Sequence, residues 1–172
     1  MRIYIIGITG SGKSTIGKEL AKKINYDFID LDKFIESNEK LSIQEIFKLY
    51  TEAFFRLLEK KYLEKTFEMQ NVVVSTGGGT PCFYNGIEKM NSNGITIWLN
   101  TPLSVIAQRL YENPNLSQRP LIKENTLEGI KTFLEIKLKE RKKFYSKASI
   151  TLNSPDVDTL LKELKKIDGL IN

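Results

Sequence analysis

Residues 7–15 read GITGSGKST and fit G-x-x-x-x-G-K-[ST], with Gly7, Gly12, Lys13 and Ser14 in the fixed positions and a further glycine at Gly10. The flanks constrain the fold as strongly as the letters. Ile3-Tyr4-Ile5-Ile6 before the motif is an apolar run short enough for a buried strand. After it, Ile16, Leu20 and Ile24 recur at helical spacing. Strand, glycine loop and helix together make a phosphate-binding loop. Glycines let successive N–H groups turn inward on phosphate oxygens, and the helix N-terminus adds donors and a positive dipole end. Lys13 supplies a cation for the β- and γ-phosphates, and the Ser14 hydroxyl can ligate Mg²⁺. A nucleoside triphosphate with magnesium is the implied ligand. The plainer alternative is a glycine-rich turn with a chance lysine.

The rest of the chain alternates apolar runs with helical patterns, which predicts an α/β fold with a parallel sheet between helices. Strands are expected at 3–8, 27–31, 72–75, 95–99 and 149–152. Ser42 to Glu45 reads as a capping box opening a short helix. A long amphipathic helix is expected over 52–67, and another over 127–145. Thr101-Pro102 and Ser154-Pro155 each look like a cap followed by proline at the first helical position, predicting helices over 102–111 and 155–167. The polar stretch from Tyr111 to Pro120 carries two prolines between two helices, a length typical of a functional lid. At 172 residues the chain suits one domain.

Composition removes several chemistries. There is no histidine, so acid–base work falls to carboxylate, lysine or tyrosine. A single cysteine, Cys82, excludes an internal disulfide and a cysteine-cluster zinc site; a packed or exposed thiol is its expected role. The net charge of +5 suits anionic small substrates, and no nucleic-acid-binding motif accompanies it. No signal-peptide pattern or membrane-length apolar run is present, so a cytoplasmic location is expected.

Other residues invite chemistry. Asp30 and Asp32 stand at the end of the second strand; a spacing of two puts both carboxylates on one face if the strand persists. One carboxylate would then help hold hydrated Mg²⁺ and the other accept a proton. Alternatively, Asp32 caps a helix starting at Lys33. Gly77-Gly78-Gly79 follows a strand directly, as a positive-φ turn or as a place of close backbone approach. Arg56 shares a helix face with Glu59, as a surface ion pair would. Arg119 lies in the lid, either to close over phosphate or simply as an exposed loop residue. Arg141 falls in a basic run whose default is a solvated face. The third strand ends Val-Val-Val-Ser with no carboxylate, and no N-K-x-D occurs, which disfavours motor ATPases and GTPase switches.

In order along the chain, GITGSGKST, FIDLD at 28–32, Phe55-Arg56 with Glu59, STGGG at 75–79, Arg119-Pro120-Leu121-Ile122 and Arg141 with Tyr145 resemble the shikimate kinase family. The resemblance implies a single P-loop kinase domain over residues 1–172. Its fold would be a three-layer α/β/α sandwich around a five-stranded parallel sheet, order 2-3-1-4-5, with a mobile lid over about 111–124. It implies transfer of the γ-phosphoryl of ATP to the 3-hydroxyl of shikimate, in aromatic amino acid (chorismate) biosynthesis, by a cytoplasmic monomer with no nucleic-acid or membrane partner. Gly10, Ser11, Gly12, Lys13, Ser14 and Thr15 would bind the nucleotide, with Arg109 and Arg119. Ser14, supported through water by Asp30, would hold Mg²⁺. Asp32, Arg56, Gly77, Gly78, Gly79 and Arg141 would bind shikimate, and Asp32, Lys13 and Arg119 would carry catalysis. Two departures stand out: Thr51 replaces a usual glycine before the Phe-Arg segment, and Lys143 replaces a usual proline after Arg141. A gluconate or nucleoside monophosphate kinase of the same fold, or a non-catalytic nucleotide-binding module, are the rival readings.

Overall fold

A computed structural model describes residues 1–113, 126–153 and 156–167. Five strands form one sheet: β1 (Arg2–Ile6), β2 (Asp27–Asp30), β3 (Val72–Ser75), β4 (Ile95–Leu99) and β5 (Ile150–Leu152). All neighbouring pairs are parallel and the order is β2-β3-β1-β4-β5, as the resemblance implies. The helices among the described residues are α1 (Lys13–Ile24), α2 (Leu31–Glu39), α3 (Ile43–Leu49), α4 (Glu52–Lys65), α5 (Gly86–Asn93), α6 (Leu103–Tyr111), α7 (Leu127–Tyr145) and α8 (Val157–Lys166).

Strand periodicity builds the two cores. Ile3 and Ile5 of β1 point to one side of the sheet and join Leu20 of α1 and Leu160 and Leu164 of α8. Tyr4 and Ile6 point to the other, among Leu58 and Leu63 of α4, Met90 of α5, Ile106 of α6 and Leu134 of α7. Burial on both faces explains why β1, β3 and β4 read as nearly unbroken apolar runs. β1, flanked by β3 and β4, therefore presents its carboxyl end, and the loop after it, between neighbouring strand tips.

Several local expectations need correction. The first strand stops at Ile6, because Gly7 has a φ of +147° and leaves the sheet. The 52–67 helix gives way after Lys65 to a short 3₁₀ turn over Thr66–Glu68. Thr101 is not a cap: α6 starts at Leu103, Pro102 stands just before it, and the Thr101 hydroxyl donates instead to the Ser11 carbonyl at 3.0 Å. The last helix is capped by Asp156, whose side chain accepts from Thr159 N–H; Ser154 and Pro155 lie outside the described residues. The Ser42–Glu45 capping box forms in both directions. Thr51, in the place of a usual glycine, caps α4 by accepting from Phe54 N–H.

Candidate active site

The loop after β1 folds against the start of α1. Gly12 is its N-cap with a φ of +97°, a left-handed conformation that side-chain-bearing residues seldom adopt, so glycine there allows the sharp entry into the helix. Lys13 is buried and its Nζ donates to the Ile8 carbonyl at 2.9 Å, bridging the loop. Thr101 ties the same loop to the end of β4. Gly10, Ser11, Gly12, Lys13, Ser14 and Thr15 all line one cleft of about 730 Å³, with Arg109 of α6 beside Gly12.

Sheet register delivers the next groups. Asp30 of β2 pairs with Ser75 of β3, and Ser75 in turn with Ile5 of β1. Ser14 Oγ donates to Asp30 Oδ2 at 2.6 Å and lies 3.2 Å from Ser75 Oγ. The strand does not persist to Asp32. Asp30 is the cap of α2, accepting from Lys33 N–H through its other oxygen, so the cap expected of Asp32 belongs to Asp30. Asp32 instead sits in the first turn of α2 and still faces the cleft. A hydroxyl and a carboxylate in contact are hard oxygen donors that fit Mg²⁺, which keeps several waters and takes one or two protein ligands beside substrate phosphates.

The other wall of the cleft is charged and buried. Arg56 of α4 is only 4% exposed, so it is no surface ion pair. Its Nη1 donates to Glu59 Oε2, and its Nε and Nη2 donate to Glu52 Oε1 at 3.2 and 2.8 Å. Burial alone would lower the Arg56 guanidinium, but Glu59 and Glu52 outweigh it and hold it above its ordinary value. The other Glu59 oxygen accepts from Thr80 Oγ1 at 2.7 Å. Burial, reinforced by the Glu59 and Asp30 charges and only partly offset by Lys13, pushes the Asp32 carboxyl up to about 7. Among the described residues just two buried side-chain polar atoms lack a hydrogen-bond partner, Ser11 Oγ and Asp32 Oδ1, and both residues line this cleft. Orphaned buried oxygens are rare in folded proteins, and a bound ligand is one ordinary reason for them.

The glycine triplet is no left-handed turn, since the positive-φ glycines are Gly7, Gly10 and Gly12. Close approach is what it serves, and the approaching groups are the protein's own. A Cβ at Gly77 would lie 2.5 Å from Glu59 Oε1, and one at Gly79 2.5 Å from Arg56 Nη1. At Gly78 it would meet Arg141 Nη1 at 3.0 Å, with Thr9 N and Gly7 O of the phosphate-loop segment at 3.4 and 3.5 Å. Arg141 therefore faces the cleft rather than solvent alone, and α7 runs unbroken through Lys143. Cys82 follows the triplet, half-buried; burial pushes its thiol up to about 11, so it stays protonated and unreactive. Arg119 and most of the 111–124 lid lie outside the described residues.

Three groups around the cleft carry weaker sequence signals. Glu59 reads only as a helix-face neighbour of Arg56, although the i, i+3 spacing is its signal. Ser75 reads as the absence of a carboxylate, while its hydroxyl lies against Ser14. Thr80 carries no sequence signal at all.

A phosphate loop opening on a pocket of buried carboxylate and guanidinium defines a P-loop phosphotransferase acting on a small anionic acceptor. The sequence model of the shikimate kinase family matches residues 9–165. A shikimate kinase of Azobacteroides pseudotrichonymphae is 44% identical over 150 residues, 87% of either chain. The crystal structure of shikimate kinase from Bacteroides thetaiotaomicron aligns with a TM-score of 0.88 at 36% identity over 97% of both chains. The solved structure of Acinetobacter baumannii shikimate kinase in complex with shikimate aligns with a TM-score of 0.86 at 30% identity, covering 96% of this chain and 92% of that one. The chain belongs to the shikimate kinase family and is an ATP-using kinase.

Proposed function

We propose that this chain transfers the γ-phosphoryl group of ATP to the 3-hydroxyl of shikimate, as one domain over residues 1–172, with the 111–124 segment as its lid. The observation that carries the reading is the enclosed, partnerless Asp32 Oδ1, held in the same cleft as the phosphate loop and walled by Arg56, Glu59 and the glycine triplet. An acceptor hydroxyl supplies the hydrogen bond that oxygen lacks.

The remaining roles follow from chemistry. The amides of Gly10 to Thr15 and Lys13 cradle the phosphates, and Lys13 exchanges the Ile8 carbonyl for a phosphate oxygen. Ser14, whose hydroxyl donates to Asp30, would hold Mg²⁺, with Asp30 supporting it through water. Bound there, the ion neutralises charge on the phosphate oxygens. Arg109 lies at Gly12 to touch the nucleotide, and Arg119, outside the described residues, is assigned to the phosphates. Arg56 and Arg141 clamp the shikimate carboxylate by charge-assisted hydrogen bonds. Gly77, Gly78 and Gly79 lie against its ring. Asp32 orients the attacking hydroxyl and takes its proton; since the transition state is loose, orientation matters more than base strength. Its raised pKa suits a group that exchanges a proton near neutrality.

No helix among the described residues is long and apolar enough to cross a membrane. Cytoplasmic operation as a monomer, with only small-molecule partners, completes the reading.

A coupled ADP assay with Mg²⁺-ATP and a panel of shikimate, gluconate and nucleoside monophosphates tests it. Shikimate alone should drive ADP formation. Faster turnover of another acceptor, or ADP release indifferent to shikimate, overturns it.

A further inference from the structure

Tyr145 ends α7 completely buried, with its ring 5.8 Å from that of Trp98 on β4. Its hydroxyl donates to the Gly78 carbonyl at 2.5 Å. That bond spans 67 residues of sequence and ties the last turn of α7 to the middle of the glycine triplet. Arg141 lies one helical turn earlier, and a side chain at Gly78 would meet its Nη1 at 3.0 Å. The same side chain would meet Thr9 N and Gly7 O of the phosphate-loop segment at 3.4 and 3.5 Å. One peptide is thus bonded by a tyrosine and crowded by an arginine of the same helix and by the phosphate-loop segment.

We infer that Tyr145 is a positioning residue for the acceptor site, its hydroxyl fixing the Gly78 peptide relative to Arg141 so that the guanidinium and the glycine backbone meet the substrate in one preset geometry. The inference rests on the proposed reaction. A tyrosine needed only to fill the core would be served by phenylalanine, which keeps the Trp98 contact. The hydroxyl is what reaches the loop, and its loss leaves the Gly78 carbonyl to find another donor or shift. Burial outweighs the nearby Arg141 charge and keeps the phenol well above its ordinary pKa, so it remains a donor throughout the working range.

The test is Tyr145→Phe in the full chain, with kinetics in both substrates, calorimetric titration with shikimate and with ADP, and a thermal melt. Leu164→Ala, in the core on the opposite face of the sheet, supplies a variant of reduced stability with the acceptor site intact. Tyr145→Phe should weaken shikimate binding and raise its KM about tenfold, the scale of one lost buried hydrogen bond with its carbonyl left wanting. ADP affinity should stay within about twofold and kcat within about threefold of wild type, as expected when binding rather than the chemical step is disturbed. Shikimate affinity within twofold of wild type overturns the inference. So does an equal weakening of ADP, or an equal loss of shikimate affinity in Leu164→Ala. A wild-type chain that neither binds nor turns over shikimate overturns the proposed reaction, and the inference with it.

Discussion

The two ends of the cleft are built on opposite plans. The donor end is a run of consecutive residues whose backbone does the work: Gly12 turned to positive φ, amides at a helix start, and one buried lysine on a loop carbonyl. The acceptor end draws on distant segments, with Asp32 from α2, Arg56 and Glu59 from α4, the triplet after β3, and Arg141 and Tyr145 from α7. In the proposed reaction its specificity resides in buried side-chain charge. A backbone site tolerates variation in side chains and recognises what every nucleotide shares. A side-chain site depends on each member, because a buried ion left without its partner is costly.

Four substitutions break or sharpen that contrast. Lys13→Ala should have the largest effect and remove measurable turnover, since it deletes the buried cation of the donor end; wild-type rates would show that the backbone suffices without it. Asp32→Asn should lower kcat by roughly 10²–10⁴-fold, the span for a positioned acid–base group. In wild type the free-enzyme kcat/KM profile should rise through a limb near pH 7, where Asp32 ionises, and Asp32→Asn should lose that limb.

Stability should move the opposite way. The native Asp32 pKa lies above its unfolded value, so the native state binds more protons between about pH 4 and 7. Whatever protonated Asp32 contributes is intact below the ordinary carboxylate range and lost as pH rises through 7. Asp32→Asn should therefore raise Tm at pH 8 by about 5 °C or more, with the gain fading in acid. A melt showing a loss at pH 8 would contradict this sign.

Arg56→Lys keeps the charge and loses the planar fork. It should raise the shikimate KM by about 10–100-fold, the equivalent of about 1.5–3 kcal/mol for a charged hydrogen bond, and leave the ATP KM alone. Thr101→Val should have the smallest effect. Losing its tether to Ser11 should raise the ATP KM about 2–10-fold, with the shikimate KM unchanged. If either substitution moved both constants equally, the two ends would not be separable.

The same contrast explains what could be read from sequence. The donor end is legible in nine letters because its geometry is local. So are the strands and several helix bounds, which follow from apolar periodicity and caps such as Ser42 and Glu45, whereas the strand order came with the family resemblance. The proposed acceptor roles rest on the family resemblance. Nothing local in Arg56 distinguishes a buried clamp from a surface pair, and spacing put Asp30 and Asp32 on one strand face when the chain had already turned into α2. Thr101 shows the same gap: its neighbour Pro102 suggests a cap, while its hydroxyl answers to a loop 90 residues earlier.

Gly78 stands where the two ends touch: a side chain there would meet both Arg141 of one and Gly7 and Thr9 of the other. In the proposed reaction the two reactants share this single peptide as a party wall. The gap that the phosphoryl group must cross is then ruled off by covalent bond lengths instead of by two loops that drift independently. Neither compartment can be enlarged at that point without encroaching on the other, so room for a bulkier acceptor has to come from elsewhere in the cleft.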